Sequence, residues 1–183
     1  MQIEGRTFVV TGGANGIGRA VVQALLERGA RVAAVDLNDN DLAQVVATAG
    51  TDRVSTHAVD ITDAAAVQAL PEQVITTHGA VDGLVNVAGI IQRFVPITDL
   101  AIAEMEKVLA VNFWGTVGMV KAFLPHLLQR PEAAVVNVGS MGGLVPVPGQ
   151  SAYGASKAAV QLFTEGLFAE LQDTQVAVTM AYP

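Results

Sequence analysis

Short apolar runs alternate with longer stretches of helical period along the whole chain. Strand-length runs fall at Phe8 to Val10, Arg31 to Asp36, Val54 to Val59, Gly83 to Val87, Ala133 to Val138 and Val176 to Tyr182. Between them, apolar residues recur at helical spacing over Gly16 to Arg28, Asn40 to Thr48, Thr62 to Thr77, Thr98 to Gln129 and Ser151 to Leu171. The fourth stretch reads as two helices with a break near Asn112. Gly29 is placed to stop the first helix, and Pro125 to kink or shorten the stretch that contains it. Runs such as Val32-Ala-Ala-Val35 and Ala134-Val-Val136 are apolar at consecutive positions, as strands covered on both faces are. Six such strands separated by helices predict a parallel sheet in a doubly wound, three-layer α/β/α architecture.

Composition narrows what this fold can do. With 183 residues, 51% of them hydrophobic, the chain is long enough for one well-buried domain, and no repeat, linker or low-complexity segment divides residues 1–183. There is no cysteine, hence no disulfide and no thiolate nucleophile or ligand. The N-terminal segment lacks the basic-then-apolar signature of an export signal. No apolar run reaches the roughly 20 residues of a membrane span, so the expected location is cytoplasmic. A net charge of −7 argues against nucleic-acid or anionic-membrane partners. His57, His78 and His126 have no second ligand at metal spacing, and no metal is expected.

Directly after the first strand stands Thr11-Gly-Gly-Ala-Asn-Gly-Ile-Gly18, opening a helix. Glycines there permit a tight turn and let the backbone approach a pyrophosphate at the helix N-terminus, although a purely structural turn could use them too. The second strand ends at Asp36, where a carboxylate accepts hydrogen bonds from an adenosine ribose and repels a 2′-phosphate. With Leu37 next and Asn15 rather than a basic residue inside the glycine loop, a Rossmann-like site for NAD rather than NADP is expected. Further along, Tyr153 and Lys157 stand one helical turn apart in Ser151-Ala-Tyr-Gly-Ala-Ser-Lys157, with Ser140 just upstream. A cation on the same face favours a phenolate, a usable base. Taken alone, the pair could equally be an exposed helix face.

Together these residues resemble the short-chain dehydrogenase/reductase family over nearly the whole chain. The likeness rests on Gly12, Gly16 and Gly18, Asp60 after the third strand, Asn86-Val-Ala-Gly89 after the fourth, Asn112, Ser140 and the Tyr153/Lys157 pair, in the family's order. The resemblance implies interconversion of a secondary alcohol and a ketone with NAD. Tyr153 would serve as acid/base, Lys157 would lower its pKa and hold the nicotinamide ribose, and Ser140 would hydrogen-bond the substrate oxygen. Asn112 would hold a water linking Lys157 to solvent. Implied cofactor contacts are Gly12, Asn15, Gly16, Ile17, Gly18, Asp36, Leu37, Asp60 and Ile61 beside the adenine, Asn86, Ala88 and Gly89, together with Tyr153 and Lys157. The family often has a second asparagine where Val87 stands.

Met141 to Gln150 and Ile90 to Phe94 are expected to wall a largely apolar substrate pocket in which Gln92, Arg93 and Gln150 could read a polar group. Phe113 and Trp114 read as packing residues on a helix, and the Thr98 to Gln129 helices are the expected surface of a homodimer or homotetramer. The family normally continues beyond a sixth strand with a lid and a seventh strand. The chain is therefore expected to be a truncated form, and the alternative is an NAD-binding subunit with little or no dehydrogenase activity.

Overall fold

A computed structural model describes all residues 1–183. Its six strands are β1 (Thr7–Thr11), β2 (Arg31–Asp36), β3 (Val54–Ala58), β4 (Gly83–Asn86), β5 (Ala133–Val138) and β6 (Val176–Ala181). All pair in parallel in the order β3-β2-β1-β4-β5-β6. The helices are α1 (Gly16–Glu27), α2 (Asp39–Ala49), α3 (Ala64–His78), α4 (Ile102–Leu109), α5 (Thr116–Leu127) and α6 (Ser151–Glu170). The order reverses between β1 and β4, and the crevice at the strands' C-terminal ends there is where doubly wound sheets bind ligands.

The consecutive apolar residues fill both faces of the sheet. Phe8, Val10, Val32 and Ala34 pack with Val22, Leu25 and Leu26 of α1 and with Leu42 and Val45 of α2. Val9, Ala33, Val35, Leu84 and Val135 face the other way, onto Leu70, Val74, Met119, Phe123, Leu127 and Leu167 from α3, α5 and α6. Each alternate side chain of a central strand is thus buried in a different layer. Helix starts follow local capping chemistry: the Asn38 and Asp63 side chains accept from the first amides of α2 and α3. Gly29 follows the end of α1, its amide bonded back to the Leu26 carbonyl at 3.0 Å.

The Thr98 to Gln129 stretch differs from expectation. It starts at Ile102, after a short 3-10 turn, and does not break at Asn112; a π-helical turn, Ala110–Gly115, joins α4 to α5 as one helix. A π-helical turn takes up one extra residue without ending the helix. Pro125 does not interrupt it either, for α5 ends two residues beyond, at Leu127. The united Ile102–Leu127 helix, 26 residues long, is long and apolar enough to cross a membrane, contrary to the reading of two shorter helices. Its apolar residues Val108, Met119, Val120, Phe123 and Leu127 are buried within the protein.

Candidate active site

The glycine loop is shaped by close approach. Gly12 has φ +64°, and a Cβ there would sit 3.0 Å from the Cα of Ala88, while one on Gly18 would collide with the Gly12 carbonyl. The Asn15 side chain does not cap α1, and the first turn's amides find no acceptor in the protein. Instead the Asn15 amide donates to Asp41 at 2.6 Å, tying the loop to α2. The Asp36 carboxylate accepts from the amides of Ala14 (3.1 Å), Leu37 (2.8 Å) and Asn38 (3.3 Å), so it fixes the loop as well as facing the crevice. Both lone-pair sets of a carboxylate exceed these three bonds, which leaves capacity for ribose hydroxyls.

Beside the loop lies a cleft of about 420 Å³ lined by Gly12, Asp36, Leu37, Asp60, Ile61, Ala88 and Gly89 among others. Asp60 also accepts from the Thr62 amide and hydroxyl. A second cleft, about 240 Å³, is lined by Ile17, Gly89, Ile90, Ile91, Val138, Tyr153 and Lys157. Gly89 and Ile90 border both, making one continuous groove from Asp36 to Tyr153. A dinucleotide fits these residues: unpaired amides and missing side chains at the middle, a carboxylate at one end and a lysine at the other.

At that second end, Lys157 is 5% exposed. Its Nζ donates to the Val138 carbonyl at 2.9 Å and lies 5.9 Å from the centre of the Tyr153 ring. No carboxylate pairs with it, and burial pulls its pKa from 10.5 down to about 8. Ser140 follows β5; its Oγ accepts from the Gly142 amide at 3.1 Å and keeps its own proton to donate. Gly142 sits between the groups: a Cβ on it would lie 3.4 Å from the Tyr153 ring, 3.5 Å from Ser140 Oγ and 3.3 Å from Gln150 Oε1. Tyr153, Lys157 and Ser140 thus converge.

Asn112 stands beside Lys157: a Cβ on Gly89 would lie 3.2 Å from its Oδ1 and 3.3 Å from Lys157 Nζ. Its Oδ1 accepts from the Ile90 amide (2.8 Å), and Nδ2 donates to the Ile90 carbonyl (2.9 Å) and to Ser156 Oγ (2.9 Å). Both N–H donors are spent on protein, so the side chain braces the Ile90 loop and α6. At the end of β4 the Asn86 amide donates to Asn137 Oδ1 at 2.8 Å, and the Asn137 amide donates to Thr164 Oγ1 at 2.9 Å. The Oδ1 of Asn86 has no partner. Of the three polar candidates for the substrate pocket, Gln92 is buried and bonded within the protein, and Arg93 is engaged by Glu104. Only Gln150 remains free to face a substrate.

Sequence reasoning missed Thr11, whose Oγ1 accepts from the Val87 and Ala88 amides and pins the loop after β4. It also missed Asp41, Ser156 and the structural weight of Gln92. None has a local signature, because each partner is distant along the chain. Outside the groove, His57 and His78 both point Nε2 at Ser55 Oγ, at 3.0 and 2.8 Å.

A doubly wound parallel sheet with a glycine loop between β1 and α1 defines a Rossmann-like α/β scaffold. The chain belongs to the short chain dehydrogenase family, whose profile matches residues 6–183. It is 38% identical over its whole length to SadH of Mycobacterium tuberculosis, a candidate oxidoreductase, and covers 67% of that protein. It is 36% identical to D-threitol dehydrogenase of Mycolicibacterium smegmatis, covering 70% of it. A short-chain dehydrogenase/reductase from Burkholderia phymatum, solved in complex with NAD, superposes over the full chain with a TM-score of 0.96 at 30% identity. The chain spans 66% of that protein.

Proposed function

We propose that this protein is a single NAD-binding domain that interconverts a secondary alcohol and a ketone. The reading rests above all on one observation: Tyr153 and Lys157, with Ser140 next to the Tyr153 ring across Gly142, line the same groove that ends at Asp36. The NAD-bound relative and the D-threitol dehydrogenase support the cofactor and the alcohol class.

Bound at the groove, NAD would supply the two-electron acceptor for the carbinol carbon. The chain's own part is proton handling and positioning. Ser140 donates its free O–H to the substrate oxygen and steadies charge there. Tyr153 takes the hydroxyl proton in oxidation and returns it in reduction, a contribution of about 10² to 10⁴ in rate. Lys157, with a pKa of about 8, is mostly ammonium at pH 7 and supplies positive potential beside the phenol. Asp36, with Asp41 close by, disfavours a 2′-phosphate. Ile90, Ile91 and Val138 suit a substrate with an apolar body, and Gln150 offers one polar contact.

A panel of secondary alcohols assayed with NAD and then NADP, on wild type and Tyr153→Phe, tests this. Turnover should favour NAD and fall at least about 100-fold in the variant. Equal activity of Tyr153→Phe refutes the mechanism, and a preference for NADP refutes the role of Asp36. We further propose a cytoplasmic homodimer or homotetramer paired through the Ile102–Leu127 helix, where Ile102 and Trp114 are 66% and 64% exposed. A monomer in sedimentation would sink that part.

A further inference from the structure

Gln92 is 3% exposed, yet it is polar and belongs to a loop. Its carboxamide makes two well-formed bonds: Oε1 accepts from the Tyr153 amide at 3.0 Å, and Nε2 donates to the Gly149 carbonyl at 2.8 Å. Tyr153 is the third residue of α6, so its N–H is among those a helix leaves without an internal partner. The N-cap residue Gln150 offers no side-chain cap. Gln92 therefore caps the helix from another loop, at the residue bearing the proposed acid/base.

The rest of Tyr153's backbone is held through the same neighbourhood. Its carbonyl accepts from Ser156 Oγ at 2.7 Å, Ser156 Oγ accepts from Asn112, and Asn112 brackets Ile90, two residues before Gln92. A ring of hydrogen bonds closes around the first turn of α6. Lys157, one turn further in, is fixed independently by its bond to Val138. Loss of Gln92 would free Tyr153 while leaving Lys157 and the cofactor groove in place. First turns are also where helices fray.

We propose that Gln92 is a positioning residue for Tyr153, locking the first turn of α6 so that the phenol stays in register with Ser140 and Lys157. The proposal rests on the reading of Tyr153 as acid/base. Gln92→Leu keeps the volume and removes both bonds; Gln92→Glu keeps an acceptor facing the Tyr153 amide. Three readouts are compared with wild type: hydrogen exchange of the 151–155 amides, NADH affinity, and kcat against KM. In Gln92→Leu, exchange should rise about tenfold or more and kcat should fall about 10- to 100-fold, with NADH affinity and alcohol KM within about threefold. Gln92→Glu should recover most of the protection and of kcat.

Unchanged exchange in Gln92→Leu overturns the proposal, as does a kcat within about twofold of wild type or a loss confined to NADH affinity. A Glu variant as impaired as Leu in both exchange and kcat also overturns it. Should wild type bind NADH but oxidise no alcohol, a rise in exchange in Gln92→Leu still supports the lock, and the failure is that of the proposed activity. Far-UV dichroism of both variants confirms that the comparison is between folded proteins.

Discussion

Replacing Lys157 by methionine should abolish activity and yet stabilise the protein. Lys157 is an ammonium buried without a carboxylate partner, and burial alone brings its pKa from 10.5 to about 8. At pH 7 that difference corresponds to a folding cost on the order of 3 kcal/mol. Methionine of similar shape removes the cost but forfeits the bond to the Val138 carbonyl, worth about 1 kcal/mol. The net gain is about 2 kcal/mol, or roughly 4–8 °C in Tm for a chain of this size. The sign has a pH signature. A lysine whose folded pKa is lowered binds fewer protons folded than unfolded between about 8 and 10.5. Wild-type stability therefore climbs with pH across that window, by about 1.4 kcal/mol per pH unit. Lys157→Met lacks the climb, so its advantage should shrink above pH 8 and vanish near about pH 9.5. Urea unfolding of the protein without cofactor at pH 7, 8, 9 and 9.5 measures this directly. A variant no more stable than wild type at pH 7, or an advantage independent of pH, refutes the reasoning.

At the end of β2, Asp36→Ala combined with Leu37→Arg should raise the NADP-to-NAD ratio of kcat/KM by about 100-fold, read by steady-state kinetics. It should also cost about 1–2 kcal/mol in urea unfolding, because three backbone amides lose their acceptor. Beside β2, at the β3 edge of the sheet, burial lowers the pKa of both His57 and His78, with positive His57 and Arg31 adding to the effect on His78. Groups held neutral by folding stabilise above the ordinary value of 6.5 and lose that contribution as pH falls below it. The urea midpoint of wild type should therefore drop more steeply from pH 7 to pH 5 than that of the His57→Gln, His78→Gln double variant. Asp82 is 3% exposed; burial alone would raise its carboxyl, but the Thr7 amide and the guanidinium groups of Arg130 and Arg6 outweigh that and hold it below the ordinary value. Its stabilisation is present above about pH 4 and is lost as pH falls through the lowered value. Asp82→Asn should cost about 2 kcal/mol at pH 7 by urea unfolding, and the difference should narrow in acid.

The sheet was legible because its evidence is local. Consecutive apolar residues in Val32 to Val35 and the glycines after β1 act on their own neighbours, and the structure places both as expected. The Tyr153/Lys157 pair was legible for the same reason, since helical spacing alone sets both on one face. What escaped was the destination of amide side chains. An amide bonds whatever tertiary packing presents, here Asn137 for Asn86 and Ile90 with Ser156 for Asn112. The π-helical turn showed only as an apparent break near Asn112, because one additional residue in a turn shifts the phase of the apolar stripe, and a shift in phase reads like an interruption. His57 and His78 looked isolated, since nothing in their spacing reveals that β3 and the end of α3 meet at Ser55.

The two ends of the sheet handle polar groups in opposite ways. At the strands' N-terminal end, the Asp82 carboxylate takes the Thr7 amide, Arg6 and Arg130, while Glu132 meets the chain's own N-terminus and Arg6. Every charge in that group has a partner. At the C-terminal end, the first amides of α1 have no acceptor, Lys157 has no counter-ion, and Ser140 keeps a free hydroxyl proton. A structure selected for stability alone would spend these groups as the other end does, since unpaired polar atoms near a buried lysine cost free energy. These unspent groups stand at the switch point of the sheet, the end at which doubly wound sheets bind ligands. The Lys157→Met experiment measures how much stability is conceded there.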